Sequence, residues 1–154
     1  MTEFLQTALM FAGALCAVSF AGLGSALGTG AGGAAAIGAW KRSYMQNKPA
    51  SFQLTVFAGA PLSQTIYGMI IMFIIMGGQP QYYATYLAIG IVGGIAIGAS
   101  AWMQGKAAAG ACDAFGETGK GFVNYLLALG IIETVAIFIM AFSIILISSL
   151  PVSA

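Results

Sequence analysis

Phe122-Val123-Asn124-Tyr125-Leu126-Leu127-Ala128-Leu129-Gly130-Ile131-Ile132-Glu133-Thr134-Val135-Ala136-Ile137-Phe138-Ile139-Met140-Ala141-Phe142-Ser143-Ile144-Ile145-Leu146-Ile147-Ser148-Ser149-Leu150 is an apolar run with one charged residue, Glu133, about midway along it. A run of this length crosses ~30 Å of hydrocarbon at ~1.5 Å per residue. Backbone groups in lipid must find partners within the segment, so the run reads as a helix. An ionised side chain at that depth costs at least ~2.5–3.5 kcal/mol, so Glu133 is expected to be protonated, paired or bound to a cation.

The rest of the chain has the same character. It is 154 residues long, 60% hydrophobic and 6% charged, with no histidine and a formal net charge of +1. A soluble domain carries about a quarter charged residues, so this composition indicates a membrane protein. There is no basic footprint for nucleic acid and no acidic tail. Cys16 and Cys112 have no metal-ligand spacing and are expected to be unpaired core residues. The apolar N-terminal stretch lacks the positive flank of a secretory signal, since Glu3 is its only early charge, and no cleavage is expected.

Three polar breaks divide the chain: Lys41 to Pro49, Gly77 to Gln81, and Asp113 to Gly121. The apolar stretches between them, about 23 to 39 residues each, predict four membrane-spanning helices, the second near Phe52 to Met76. Lys41, Arg42 and Lys48 crowd the first break, and Lys106 and Lys120 flank the third, whereas the middle break is uncharged and bordered by Tyr82, Tyr83 and Tyr86 as an aromatic belt. The positive-inside rule then places loops 40–50 and 113–121 in the cytoplasm and both termini outside.

The two halves echo each other. Ala21-Gly22-Leu23-Gly24-Ser25 parallels Ala96-Ile97-Gly98-Ala99-Ser100, and Gly33-Ala34-Ala35-Ala36 parallels Lys106-Ala107-Ala108-Ala109. Pro61-Leu62-Ser63-Gln64-Thr65 corresponds to Gly130-Ile131-Ile132-Glu133-Thr134. A period of about 70 residues predicts a duplicated hairpin in parallel orientation, residues 1–78 and 79–154, within one membrane domain. Glycines crowd the first and third spans (Gly22, Gly24, Gly28, Gly30, Gly32 and Gly33, then Gly90, Gly93, Gly94 and Gly98) and permit close helix approach, and a whole helix built this way favours a tightly curved inner wall made by many copies over ordinary packing within one subunit. Gly28-Thr29-Gly30-Ala31-Gly32-Gly33 fits a dinucleotide-binding pattern, but no strand precedes it and no acid follows, so it is a packing feature.

Residues equidistant from a tight turn share a depth. With the third break centred near Thr118, Glu133 is level with Gln104; with the first centred near Asn47, Gln64 is level with Gly30. In the second span Ala60, Ser63, Gln64 and Tyr67 follow the i, i+3, i+4, i+7 spacing of one helical face. Amide, hydroxyl and carboxylate oxygens in one layer suit a hard monovalent cation, whereas a proton carrier needs only the acid. Pro61 removes one backbone bond beside this layer, which either kinks the helix or shapes the site.

With these residues, the sequence resembles the proteolipid (c or K) subunit of V-type and A/V-type rotary ATPases over essentially its whole length, and is most similar to the bacterial sodium-pumping members. The resemblance rests on the duplicated hairpin, the glycine-rich first and third spans, Gln104-Gly105-Lys106 and Ile132-Glu133-Thr134. It implies an all-α integral membrane subunit of four helices in a homo-oligomeric ring, with Na⁺ held by the Ala60 carbonyl, Ser63, Gln64, Gln104 and Glu133, and with Tyr67 locking the glutamate. Serine stands where threonine is usual, and alanine where leucine supplies the carbonyl. The resemblance further implies a non-catalytic rotor role, a stator subunit with an essential arginine, a central stalk meeting the loops around Lys48 and Glu117, and residence in a bacterial cell membrane with lipid around the ring. A proton-carrying rotor remains open, and a small proton-coupled exporter or a structural tetraspan scaffold are the readings from other classes. An exporter usually needs substrate-facing aromatics around an acid within its first span, whereas the first span here is glycine-rich and its one acid, Glu3, stands at the very start.

Overall fold

The computed structural model describes residues 2–151. Helix α1 spans Glu3–Met45, α2 Gln53–Gly59, α3 Ser63–Met76, α4 Tyr83–Thr118 and α5 Phe122–Ser148, and there is no strand among the described residues. A 3₁₀ turn, Ala60–Leu62, joins α2 to α3 into one span, and another, Pro80–Tyr82, leads into α4. Four stretches are long and apolar enough to cross a membrane: Glu3–Met45, Gln53–Met76, Pro80–Thr118 and Phe122–Ser148.

The outer two breaks are narrower than the charges suggest. Residues 41–45 and 113–118, expected in loops, are helical, and the non-helical segments shrink to residues 46–52 and 119–121. A charged residue marks where a span leaves lipid, not where a helix stops, and these helices continue into water. What stops them is local. Asn47 lies at φ 53° after α1, and Gly119 and Gly121 lie at φ 64° and 85° between α4 and α5, in a region that glycine enters freely and asparagine tolerates. Lys106 does not flank a loop. It lies inside α4, two residues or ~3 Å along the axis from Gln104, with its ammonium 5.3 Å from the Trp102 ring centroid.

Helices α1 and α4 run parallel and in register, as a duplicated hairpin requires, and their backbones nearly touch. A Cβ on Gly24 would fall 1.9 Å from the Gly98 carbonyl, one on Gly90 1.9 Å from that of Gly13, and one on Gly105 2.1 Å from the Gly28 Cα. The glycines therefore pack within the subunit, while Gly30, Gly33, Gly38 and Gly110 meet nothing in the same chain. Spans α2–α3 and α5 flank this pair. The outward face of α5 carries Leu127, Ile131, Phe138 and Phe142, each more than 60% exposed, and suits lipid rather than water.

The first hairpin is not symmetric about Asn47. Trp40 Nε1 donates to the Ser51 carbonyl at 2.8 Å, so the linker turns back along α1. Gly32 therefore approaches Ala58, Gly28 approaches Pro61 and Gly22 approaches Thr65. Gln64 thus lies at a depth between Gly22 and Gly28, not at Gly30. Tyr86 also departs from the aromatic belt: it is buried, and its hydroxyl accepts the Gln79 N–H at 3.2 Å. Cys16 and Cys112 are unpaired; Cys112 is buried as a core residue, whereas Cys16 is only half-buried. The two polar ends lie side by side, where Arg42 bonds Asp113 at 2.6 Å and Glu117 at 2.8 Å.

Candidate functional site

The site begins at Pro61. Its ring removes an N–H from the helix ladder, and the Ala60 N–H bonds the Phe57 carbonyl in the tighter 3₁₀ pattern. This turn sets the start of α3. Ser63 Oγ lies 3.1 Å from the Ala60 carbonyl and 3.2 Å from Gln64 Oε1, and its single proton serves one of them at a time.

From there the polar chain crosses the subunit. Gln64 Nε2 donates to Gln104 Oε1 at 2.7 Å, and both side chains are fully buried. Gln104 Nε2 donates to the Leu129 carbonyl at 3.0 Å and faces Glu133 Oε2 at 3.4 Å. Tyr67 donates its hydroxyl to Glu133 Oε1 at 2.6 Å. Ala60, Ser63, Gln64, Gln104, Glu133 and Tyr67, six residues from both halves of the sequence, are joined in one hydrogen-bonded path.

Glu133 receives two neutral donors, Tyr67 and Gln104. Among the described residues its carboxylate has no lysine or arginine partner, and the ion pairs are those of Arg42. The described residues likewise contain no group of three or more His, Cys, Asp or Glu that would hold a metal ion. A single carboxylate among neutral oxygens balances one positive charge, and the donor set of hydroxyl, carbonyl and carboxamide is hard.

One member of this neighbourhood escaped the sequence reading. Ser100, seen there only as part of the repeat, lies one turn before Gln104 and donates to the Ile132 carbonyl at 3.0 Å. The i, i+4 spacing of Ser100 and Gln104 was the available signal. Gly30, expected at the level of Gln64, takes no part.

The sequence model of the ATP synthase C subunit matches the chain twice, over residues 12–75 and 87–146. The chain belongs to the ATP synthase C-subunit family. No curated protein matches it. The two matches put one family unit in each half, so the duplication seen as parallel α1 and α4 is a duplication of the C-subunit hairpin. Proteins of this family are ion-translocating, non-catalytic rotor subunits that assemble into homo-oligomeric rings, and this chain is such a subunit, a multi-pass membrane protein with four spans.

Proposed function

We propose that this rotor subunit carries Na⁺ at Glu133 in a V-type ATPase. The observation behind this reading is the single hydrogen-bonded path through Ala60, Ser63, Gln64, Gln104 and Glu133. It gathers five oxygen-bearing groups and one formal charge, more than a proton carrier needs. Sodium neutralises the carboxylate, and Tyr67 holds the loaded side chain against α3. Rotation then moves the filled site through lipid without an exposed charge.

The empty carboxylate needs a counter-charge at the moment of exchange. An arginine of a stationary membrane subunit supplies it, pairing with ion-free Glu133 between an entry path and an exit path. The ends of α1 and α4, with Arg42, Lys48, Asp113 and Glu117, face the cytoplasm and the central stalk. ATP hydrolysis in a separate head drives the ring. With Gln64 in place of a second acid, each four-helix subunit moves one ion. Fewer ions per turn leave more free energy for each, against ~2.3 kcal/mol per charge per 100 mV, and this favours pumping over synthesis. Robust ATP synthesis by the intact complex at modest gradients would count against that direction.

The ion is tested by labelling Glu133 with a carboxyl-reactive carbodiimide in purified rings. Millimolar Na⁺ at neutral pH is expected to protect it strongly. Labelling that responds to pH but not to sodium would replace Na⁺ with H⁺ as the cargo.

A further inference from the structure

Two side chains of α4, one turn apart, grip the backbone of α5 in the turn that leads up to Glu133. Gln104 Nε2 donates to Leu129 O, and Ser100 Oγ donates to Ile132 O, each at 3.0 Å. A peptide carbonyl has two lone pairs, so these bonds add to the helix ladder without displacing it. Ser100 is 7% exposed. A serine within a helix commonly turns its hydroxyl back to its own i−4 carbonyl. This one instead reaches a different span.

Such a bond does something that apolar packing does not. Lipid tails solvate leucine and isoleucine as well as a neighbouring helix does, so apolar burial alone does not choose a register, and an interhelical hydrogen bond adds a directional preference to packing. A slip of α5 by one residue would move Glu133 by ~1.5 Å along the axis and ~100° around it. That would break the 2.6 Å bond from Tyr67 and draw the carboxylate away from Gln104. The acceptor of Ser100 is the carbonyl of the residue immediately before Glu133, so the tether acts where an error in register would matter most.

The first hairpin contains a built-in comparison. Ser25 is the repeat counterpart of Ser100 and is also buried, at 2% exposure, yet its Oγ has no hydrogen-bond partner. The half with the carboxylate uses its serine across the helix interface. The half with Gln64 does not.

We infer that Ser100 is a positioning residue for ion binding: its hydroxyl locks the register of α5 so that Glu133 meets Tyr67 and Gln104. This rests on the proposed role of Glu133 as the ion carrier. The test uses intact rings bearing Ser100→Ala, Ser100→Cys or Ser25→Ala. For each, native mass spectrometry checks assembly, and carbodiimide labelling of Glu133 is measured across pH and sodium concentration. Ser100→Cys leaves no cavity, being slightly larger, and weakens the donor, which separates a lost hydrogen bond from a small cavity.

All three rings are expected to assemble. Ser100→Ala and Ser100→Cys should raise the half-protecting sodium concentration about three- to tenfold, as loss of one ordinary hydrogen bond implies. They should also shift the pH midpoint of labelling measured without sodium, while Ser25→Ala follows the wild type. Tyr67 of α3 is the titratable group bonded to Glu133, and it is unchanged in all three. Wild-type behaviour in Ser100→Ala, full recovery in Ser100→Cys, or an equal shift in Ser25→Ala would overturn the inference. Should sodium fail to protect even the wild-type ring, the sodium reading falls and the sodium-free pH midpoint still decides the role of Ser100.

Discussion

Tyr67 is bound to Glu133 more closely than any other donor, at 2.6 Å, and its ring packs against the buried cluster around Ile71 and Ile97. Tyr67→Phe keeps that packing and removes only the hydroxyl. A hydrogen bond to a charged acceptor contributes about 1.5–3 kcal/mol, so Tyr67→Phe should weaken sodium protection roughly tenfold or more while rings still assemble. Glu133→Gln should abolish ion transport and coupled ATP turnover in the intact complex, and retention of full transport would sink the proposed role of the acid. Much of this constellation was legible beforehand. The spacing of Ala60, Ser63, Gln64 and Tyr67 on one face depends only on helix periodicity, which the 3₁₀ turn at Ala60–Leu62 barely disturbs. The level of Gln104 with Glu133 followed because Gly119 to Gly121 form a short, nearly symmetric turn. The level of Gly30 did not follow, because Trp40 pins the longer linker at Ser51 and skews the first hairpin.

Among the helices, α1 and α4 carry the closest tolerance in the fold. A methyl group on Gly24, Gly90 or Gly105 would lie within about 2 Å of backbone atoms on the facing helix, and no side-chain rotation can relieve a clash with backbone. Gly105→Ala should therefore cost at least the ~1–3 kcal/mol typical of overpacking, read as loss of detergent-stable rings. Gly30→Ala meets nothing within its own chain and should leave the subunit folded. If Gly30→Ala folds but no longer forms rings, Gly30 lies on the seam between copies. If Gly105→Ala assembles normally, the close approach of the two helices is not required. Glycine density announced close packing from the sequence, but it could not separate glycines that pack inside a subunit from those left open. That distinction needs the relative rotation of α1 and α4, which small residues do not encode. Helix ends were illegible for another reason. Asp113, Glu117 and Arg42 are as compatible with a helix in water as with a loop, and here they form ion pairs between helix ends instead of ending them.

Across the whole subunit the family unit occurs twice, so two equivalent sites, one per hairpin, are conceivable, and the proposed reading assigns the ion to one of them. Gln64 occupies the place of Glu133 in the first hairpin, and its amide donates to Gln104, which in turn faces Glu133. Under the proposed function, the position of a first site thus serves the second. Gln64→Glu therefore should not create a second carrier. A carboxylate at 64 cannot donate to Gln104 Oε1 as the amide does, and both acids would share the one Gln104 instead of each having a donor set of its own. Intact-mass measurement after carbodiimide treatment at neutral pH should find one sodium-protected adduct per Gln64→Glu subunit, as in the wild type. The sodium needed for half-protection should rise about tenfold or more through loss of the amide, and the number of ions moved per ATP should not increase. Two adducts, each protected independently by sodium, would mean that the hairpins hold separate sites and that the path from Ser63 to Glu133 is not one functional unit.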